Sequence, residues 1–111
     1  METRAHRIRL NPGSLPRVRE WAAELTRRSP EALATLRGET VYLECFFLEQ
    51  TDDGDFLIAV MVAESFEQSR RAVEASLHEI DAYHQQFKRD TWASGRRLEL
   101  LVDLNRLDER P

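Results

Sequence analysis

The sequence predicts an α+β protein whose elements follow the order β-α-β-β-α-β, with an antiparallel sheet covered by helices on one face. Two apolar runs, 41–50 and 56–63, flank the polar turn 51–55, a pattern typical of a β-hairpin. Alternating residues at 4–10 and 98–104 predict a strand at each end of the chain. Because both faces of the hairpin are apolar, we expect helices to cover one face and a second copy of the chain to cover the other.

Length and composition limit the possible classes of protein. The 111 residues predict a single domain at 1–105 and a C-terminal tail at 106–111. A net charge of -4 with mixed signs argues against a nucleic-acid partner. No stretch approaches the ~20 apolar residues of a membrane span, so no membrane partner is expected. The single Cys45 cannot form an intrachain disulfide, which favours a cytoplasmic protein.

The first half of the chain predicts a strand followed by two helices. Asn11 to Gly13 form a turn after the strand, and Ser14 stands where a helix N-cap is expected. Apolar residues then recur at helical spacing from Leu15 to Leu25. Ser29 and Pro30 begin a second helix, which Gly38 ends.

The second half predicts a broken helix and a last strand. Residues 65–68 read Ser-Phe-Glu-Gln, a capping box that begins a helix after the hairpin. A second capping box at 76–79 predicts a break near Ser76. The helical pattern then continues to Thr91, and we expect the final strand at 98–104.

Right-handed crossovers would place the first strand in the middle of the sheet, beside the third and the last. In that arrangement Arg7 and Arg9 would lie next to Glu99 and Asp103 on the sheet face away from the helices, which we call the open face. Opposite charges on neighbouring strands would stabilise this pairing.

Three stretches of the chain resemble known proteins: RIRLNPGSLPRVREWAAEL, VYLECFFLEQTDDGDFLIAVM, and IDAYHQQFKRDTW with LELLVDL. They resemble an uncharacterised family of small prokaryotic proteins, a domain of unknown function, within the dimeric α+β barrel superfamily. The resemblance implies a ferredoxin-like βαββαβ fold and a homodimer paired sheet to sheet. The superfamily includes cofactor-independent monooxygenases, haem-degrading enzymes, lactone isomerases and stress-induced proteins.

The first candidate site is centred on His84, which lies on an apolar helical stripe. Its ordinary pKa near neutrality would allow it to accept a proton from a ligand, with Tyr83 as a catalytic neighbour. His78 and Trp92 are candidate ligand-binding residues beside it. The alternative is a structural histidine bonded to the backbone. No spacing suits a metal, and no cofactor is predicted.

The second candidate site is the open face of the sheet, where we expect a mixture of charged and apolar side chains. Arg7 and Arg9 could bind an anionic ligand, and Glu44 could act as an acid or base if burial raised its pKa. The alternative is that these charges only pair across a dimer interface. The other expected members are Tyr42, Phe46, Met61, Glu99 and Asp103.

These observations favour a homodimeric protein that binds a small molecule or has a stress-associated role. A cofactor-independent monooxygenase or isomerase acting on a small organic substrate is the alternative. Haem handling is a lesser alternative, suggested only by the histidines and the superfamily. The expected partner is a second copy of the chain, through the open face.

Overall fold

The computed structural model describes residues 1–109, which form a four-stranded antiparallel sheet with four helices. The strands are β1 (Glu2–Leu10), β2 (Val41–Thr51), β3 (Gly54–Ala63) and β4 (Trp92–Arg97). Their order in the sheet is β2-β3-β1-β4, so β1 lies between β3 and β4, which confirms the predicted central position of the first strand.

Two helices connect β1 to β2, and two more connect β3 to β4. They are α1 (Leu15–Arg27), α2 (Ser29–Glu39), α3 (Phe66–Ala75) and α4 (Glu79–Thr91). The Ser65 side chain accepts a hydrogen bond from the Gln68 backbone N–H at 3.3 Å, which confirms this cap. The predicted break near Ser76 is also confirmed, since α3 ends one residue before it. Within residues 1–109, no helix is long and apolar enough to cross a membrane.

The core lies between the helices and one face of the sheet, which we call the helix face. Trp21 of α1 stacks on Phe87 of α4, with ring centroids 4.2 Å apart and almost parallel planes. Such stacking adds to the free energy gained by burying two large rings. The strand residues of this core cluster are Ile8, Leu10, Leu57 and Ala59.

The last strand lies earlier in the chain than the sequence predicts. Helix α4 ends at Thr91, whose carbonyl accepts a hydrogen bond from the Asn11 backbone N–H at 2.7 Å. This bond joins the end of α4 to the end of β1, so β4 begins at once, with Trp92 opposite Leu10. Residues 98–104 lie outside the strand, and only Leu98 continues the ladder, by a bond to the Ala5 carbonyl.

The early start of β4 changes the neighbours of the two arginines. Arg7 lies opposite Arg96, and Arg9 lies opposite Ser94, so the predicted pairing with Glu99 and Asp103 is wrong. The Arg7 guanidinium instead lies over the Phe56 ring and forms an ion pair with Glu49 of β2 at 2.9 Å. Asp103 accepts a hydrogen bond from the Thr3 hydroxyl.

The structure also corrects the predicted composition of the open face. Glu44 lies opposite Met61, and Phe46 lies opposite Ala59, all on the helix face. The reason is that Ile8 faces the core and lies opposite Leu57, which fixes the orientation of every paired residue. Tyr42 sits at a β-bulge between Val41 and Leu43. The open face carries Leu43, Cys45, Phe47, Ile58 and Val60 beside Arg7 and Arg9.

The predicted tail at 106–111 is only partly covered by the structure. Residues 106–109 form a turn in which the Glu109 backbone N–H bonds to the Arg106 carbonyl at 3.0 Å. Residues 110–111 lie outside the described residues.

We expect Phe87→Ala to lower the free energy of unfolding by about 3–5 kcal/mol, because it removes a fully buried ring and leaves a cavity beside Trp21. Urea denaturation monitored by circular dichroism would measure the change. Leu77→Ala is the control, because Leu77 is 98% exposed, and its unfolding free energy should change by less than about 0.5 kcal/mol. Equal effects of the two substitutions would contradict this description of the core.

Candidate functional site

A cavity of about 420 Å³ lies between the four helices and the helix face of the sheet. Helices α1 and α2 line one side, α3 and α4 line the other, and β2 and β3 form the floor. Part of the lining is apolar and aromatic, and four charged side chains line the cavity beside His84. The apolar part includes Trp21, Leu25, Leu36, Phe46 and Ile80, and the ionisable side chains are Glu39, Glu44, Asp81 and Lys88.

Trp21 connects the apolar part of the cavity to the core. Its ring meets the edge of Phe46 at a centroid distance of 4.9 Å, while it stacks on Phe87. Helices α1 and α4 and strand β2 are therefore held around one indole. The indole N–H points at a polar partner, and that partner is His84.

His84 lines the cavity and accepts a hydrogen bond on Nδ1 from the Trp21 Nε1–H at 3.0 Å. A ring nitrogen that accepts must carry a lone pair, so the neutral imidazole carries its hydrogen on Nε2. Burial lowers the pKa of His84 to about 3, and the Lys88 charge acts in the same direction. At neutral pH, His84 therefore offers an Nε2–H donor rather than a basic nitrogen.

Glu39 and Glu44 bring two carboxyl groups to the same cavity. Glu39 ends α2, and the chain turns into β2 through Thr40, which has a φ of 57°. Burial raises the pKa of Glu39 to about 7, and the carboxylates of Asp81 and Glu44 add to the rise. Burial also raises the pKa of Glu44, although the Lys88 charge opposes this.

Lys88 lies one turn after His84 on the same side of α4, so both line the cavity. Burial lowers the pKa of Lys88, whereas the carboxylates of Glu44, Glu39 and Asp81 raise it. Its Nζ atom lies 5.0 Å from the centroid of the Trp92 ring. Within residues 1–109, Lys88 forms no ion pair at 4 Å or less, so its ammonium group faces the carboxyl groups across space.

Four of the sequence-predicted site residues meet in this cavity: His84, Glu44, Phe46 and Met61. Tyr83 points elsewhere on α4, where its hydroxyl accepts a hydrogen bond from Arg17 at 3.1 Å. His78 is exposed and precedes α4 as its N-cap residue. The two predicted catalytic residues are therefore separated, with only His84 on the cavity wall.

The other predicted ligand-binding residues lie outside the cavity lining. The Trp92 ring contacts Lys88 and packs against the core cluster. Tyr42 donates a hydrogen bond to Glu64 at 3.1 Å. Arg7 and Arg9 lie over the Phe56 ring on the open face, at 3.6 and 4.5 Å from its centroid.

Sequence reasoning missed Glu39, Asp81 and Lys88 as site residues. Asp81 and Lys88 are charged residues in a helical pattern, where a solvent-exposed position is the usual expectation. A signal for Lys88 was available, since it follows His84 at the i,i+4 spacing that places two side chains on one helix face. No comparable signal marks Glu39, because its position depends on how α2 joins β2.

The cavity brings hydrogen-bond donors and acceptors together without satisfying them internally. Among residues 1–109, the carboxyl oxygens of Glu39 and Glu44, the Lys88 ammonium and the His84 Nε2–H have no hydrogen-bond partner in the protein. Within the described residues, the Trp92 Nε1–H is the one fully buried side-chain polar atom without a partner, so the cavity groups remain accessible to water or a ligand. In the described part of the chain, no three His, Cys, Asp or Glu side chains are placed to hold a metal ion.

Fold and cavity together define an α+β protein with a polar site between its helices and an antiparallel sheet. The chain belongs to a family of unknown function, DUF6176, which it matches over residues 1–109. It is similar in structure to PA3566 from Pseudomonas aeruginosa, with a TM-score of 0.49, 11% sequence identity, and coverage of 90% of this chain and 93% of that chain. No curated protein matches this sequence.

We expect Glu39→Gln to become more stable relative to the wild type as pH rises from about 4.5 to 7. The pKa of Glu39 is about 7 in the folded protein and 4.5 in its ordinary state, so ionisation in this range favours unfolding. Glutamine cannot ionise, and the gain should reach about 1–3 kcal/mol. Urea denaturation of both proteins at pH 5 and pH 8 would measure it.

Glu20→Gln is the matched control for this experiment, because Glu20 is exposed on α1. Its stability difference from the wild type should not change between the two pH values. A constant difference for Glu39→Gln as well would show that the Glu39 carboxyl is not buried in the folded protein.

Proposed function

We propose that this chain is a homodimeric small-molecule-binding protein whose ligand occupies the cavity between the helices and the sheet. The observation that supports this most is the set of unpaired donors and acceptors facing one another in a cavity of about 420 Å³. Cavities of roughly 300–1,000 Å³ with mostly apolar walls and a few placed polar groups are typical of ligand sites. A stress-associated role is compatible with such a binding module.

The distribution of the lining residues favours a ligand with an apolar body and a polar end. Trp21 and Phe46 offer aromatic surface, whereas Glu44 and Lys88 offer an acceptor and a donor. A ligand that forms hydrogen bonds with these polar groups would compensate for the water that it displaces from them. This provides a physical reason for binding beyond the burial of apolar area.

We expect native mass spectrometry of the freshly purified protein to show a dimer with additional non-covalent mass. Ala32→Phe should lose that mass, because Ala32 lines the cavity from α2 and a phenyl ring would fill it. Ala34→Phe should keep it, since Ala34 is exposed on the same helix and is not part of the lining. Equal ligand loss from both variants would count against the cavity as the binding site.

The open face supports the homodimeric part of this proposal. Leu43 of β2 lies opposite the buried Val62, and Cys45 and Phe47 lie opposite Val60 and Ile58 of β3, which gives an apolar surface. Antiparallel sheets that face water on one side normally alternate apolar and polar residues. A second copy is the partner that we propose, in the ferredoxin-like, sheet-to-sheet arrangement of a dimeric α+β barrel.

The rim of the open face and the segment that follows β4 also suit a second copy. Both signs of charge are present on that face, since Arg7 and Glu49 lie side by side. Two copies related by a two-fold axis could therefore match charge as well as apolar surface. Four exposed apolar residues beyond β4 extend the available surface: Leu100, Leu101, Val102 and Leu104.

We expect Phe47→Asp to convert the dimer into a folded monomer. Phe47 is 60% exposed in the single chain, so the substitution should leave the fold intact while placing two carboxylates in the proposed interface. Light scattering should give about the 13.0 kDa mass of one chain for this variant and twice that mass for the wild type. Leu77→Asp, at another exposed position, should remain dimeric. A monomeric wild type would overturn this part of the proposal.

A small-molecule enzyme is a second candidate function, and the raised pKa of Glu39 favours it. A carboxyl group with a pKa of about 7 exchanges protons readily at neutral pH. Both a cofactor-independent monooxygenase and an isomerase require an acid or base in contact with the substrate. Haem handling has less support, because His78 is exposed and His84 already bonds to Trp21. A cytoplasmic location is part of the proposal, in keeping with the free Cys45.

A further inference from the structure

The two walls of the cavity differ in hydrogen-bonding character. Helix α4 presents donors from its inward side, the His84 Nε2–H and the Lys88 ammonium group, one turn apart. Strand β2 presents the Glu44 carboxyl group from the floor. The His84 and Phe46 rings have centroids 6.0 Å apart, and Glu44 lies two residues from Phe46 on the same face of β2. The carboxyl group therefore lines the same cavity as both donors and is hydrogen-bonded to neither, and the Lys88 charge acts on it across space.

We propose that the cavity catalyses proton transfer at a carbon next to a carbonyl group, with Glu44 as the catalytic base. This inference rests on the proposed function, because it takes the same cavity as the ligand site. The substrate class is an enolisable aldehyde or ketone with an apolar, preferably aromatic, body. Trp21, Leu25 and Phe46 would contact that body.

The reaction balances without an oxidant, a reductant or a metal. The Glu44 carboxylate takes a proton from the carbon next to the carbonyl, and the electron pair of that C–H bond forms a C=C bond. The π electrons of the carbonyl move to its oxygen, and the enolate oxygen accepts hydrogen bonds from His84 and Lys88. Return of the proton from Glu44 to the same carbon gives exchange, and return to a conjugated carbon gives an isomer.

The fixed tautomer of His84 is what makes this wall suitable for an enolate. Because Trp21 donates to Nδ1, the proton on Nε2 stays available as a donor and the ring stays neutral. A neutral imidazole donor stabilises developing charge without transferring its own proton first. His84 therefore donates a hydrogen bond to the enolate oxygen, and Glu44 acts as the base.

The test uses 2-tetralone, a bicyclic aromatic ketone with acidic C–H bonds, and follows deuterium uptake from D₂O by proton NMR. The full-length wild-type protein should accelerate uptake above the buffer rate. Glu44→Gln should reduce that acceleration by roughly 10²–10⁴-fold, the usual contribution of a general base. Glu20→Gln, at an exposed position of α1, should retain the wild-type rate.

A binding measurement separates failure of this inference from failure of the proposed function. The probe is 2-naphthol, which has the same ring skeleton with the oxygen of an enol, and its binding is measured by calorimetry. Binding by wild type and Glu44→Gln, with exchange only by the wild type, supports the inference. Binding without exchange by the wild type overturns the reaction and leaves the cavity as a binding site.

Two further outcomes also decide the matter. Exchange that persists in Glu44→Gln overturns the assignment of Glu44 as the base. If the wild type neither binds 2-naphthol nor exchanges 2-tetralone, the proposed substrate class is wrong. Non-covalent mass in the native mass spectrum would still support the proposed ligand-binding function in that case. Thermal melting of Glu44→Gln checks that the variant is folded, and Glu44→Asp, which keeps the carboxyl group, should recover part of the exchange rate.

Discussion

The indole of Trp21 is the interaction on which the other parts of the structure depend. Its stacking on Phe87 fixes the position of α1 relative to α4, and its edge contact with Phe46 joins both helices to the sheet. The same indole N–H fixes the tautomer of His84. One side chain therefore provides core packing, an aromatic cavity wall and the orientation of a polar group, so the fold and the site cannot be separated at this position.

The polar part of the cavity lowers the stability of the folded protein. Each partly buried ionisable group carries a desolvation penalty, and Glu39, Glu44 and Lys88 all show pKa values shifted by burial. Well-packed apolar residues in these positions would give a more stable core. Local departures from the rules of stable packing are typical of functional sites. The large core formed by Trp21, Phe87 and the central strands supplies the stability that this site requires.

Local patterns in the sequence predicted the kinds of elements and several of their ends. The order of the strands followed from handedness, and the break near Ser76 followed from its capping box. The position of the last strand did not follow, because a hydrogen bond between Asn11 and Thr91, distant in sequence, determines where it begins. Alternation along β2 separated two sets of residues but did not show which set faces the helices. The pairing of Ile8 with Leu57 decides that question. For this reason the sequence analysis placed Glu44 on the wrong face of the sheet.

The junction between α2 and β2 shows how little sequence is needed to build half of this site. Glu39 and Glu44 are five residues apart, and a left-handed Thr40 followed by the bulge at Val41 and Leu43 brings both side chains to one cavity. The opposite half is equally short, since His84 and Lys88 are neighbours on one helix face. Two segments of five or six residues therefore encode most of the polar groups, and the rest of the chain acts as their frame. Such short segments could be grafted together onto another protein, provided that its scaffold has the same helix-to-strand turn with a helix packed opposite to it.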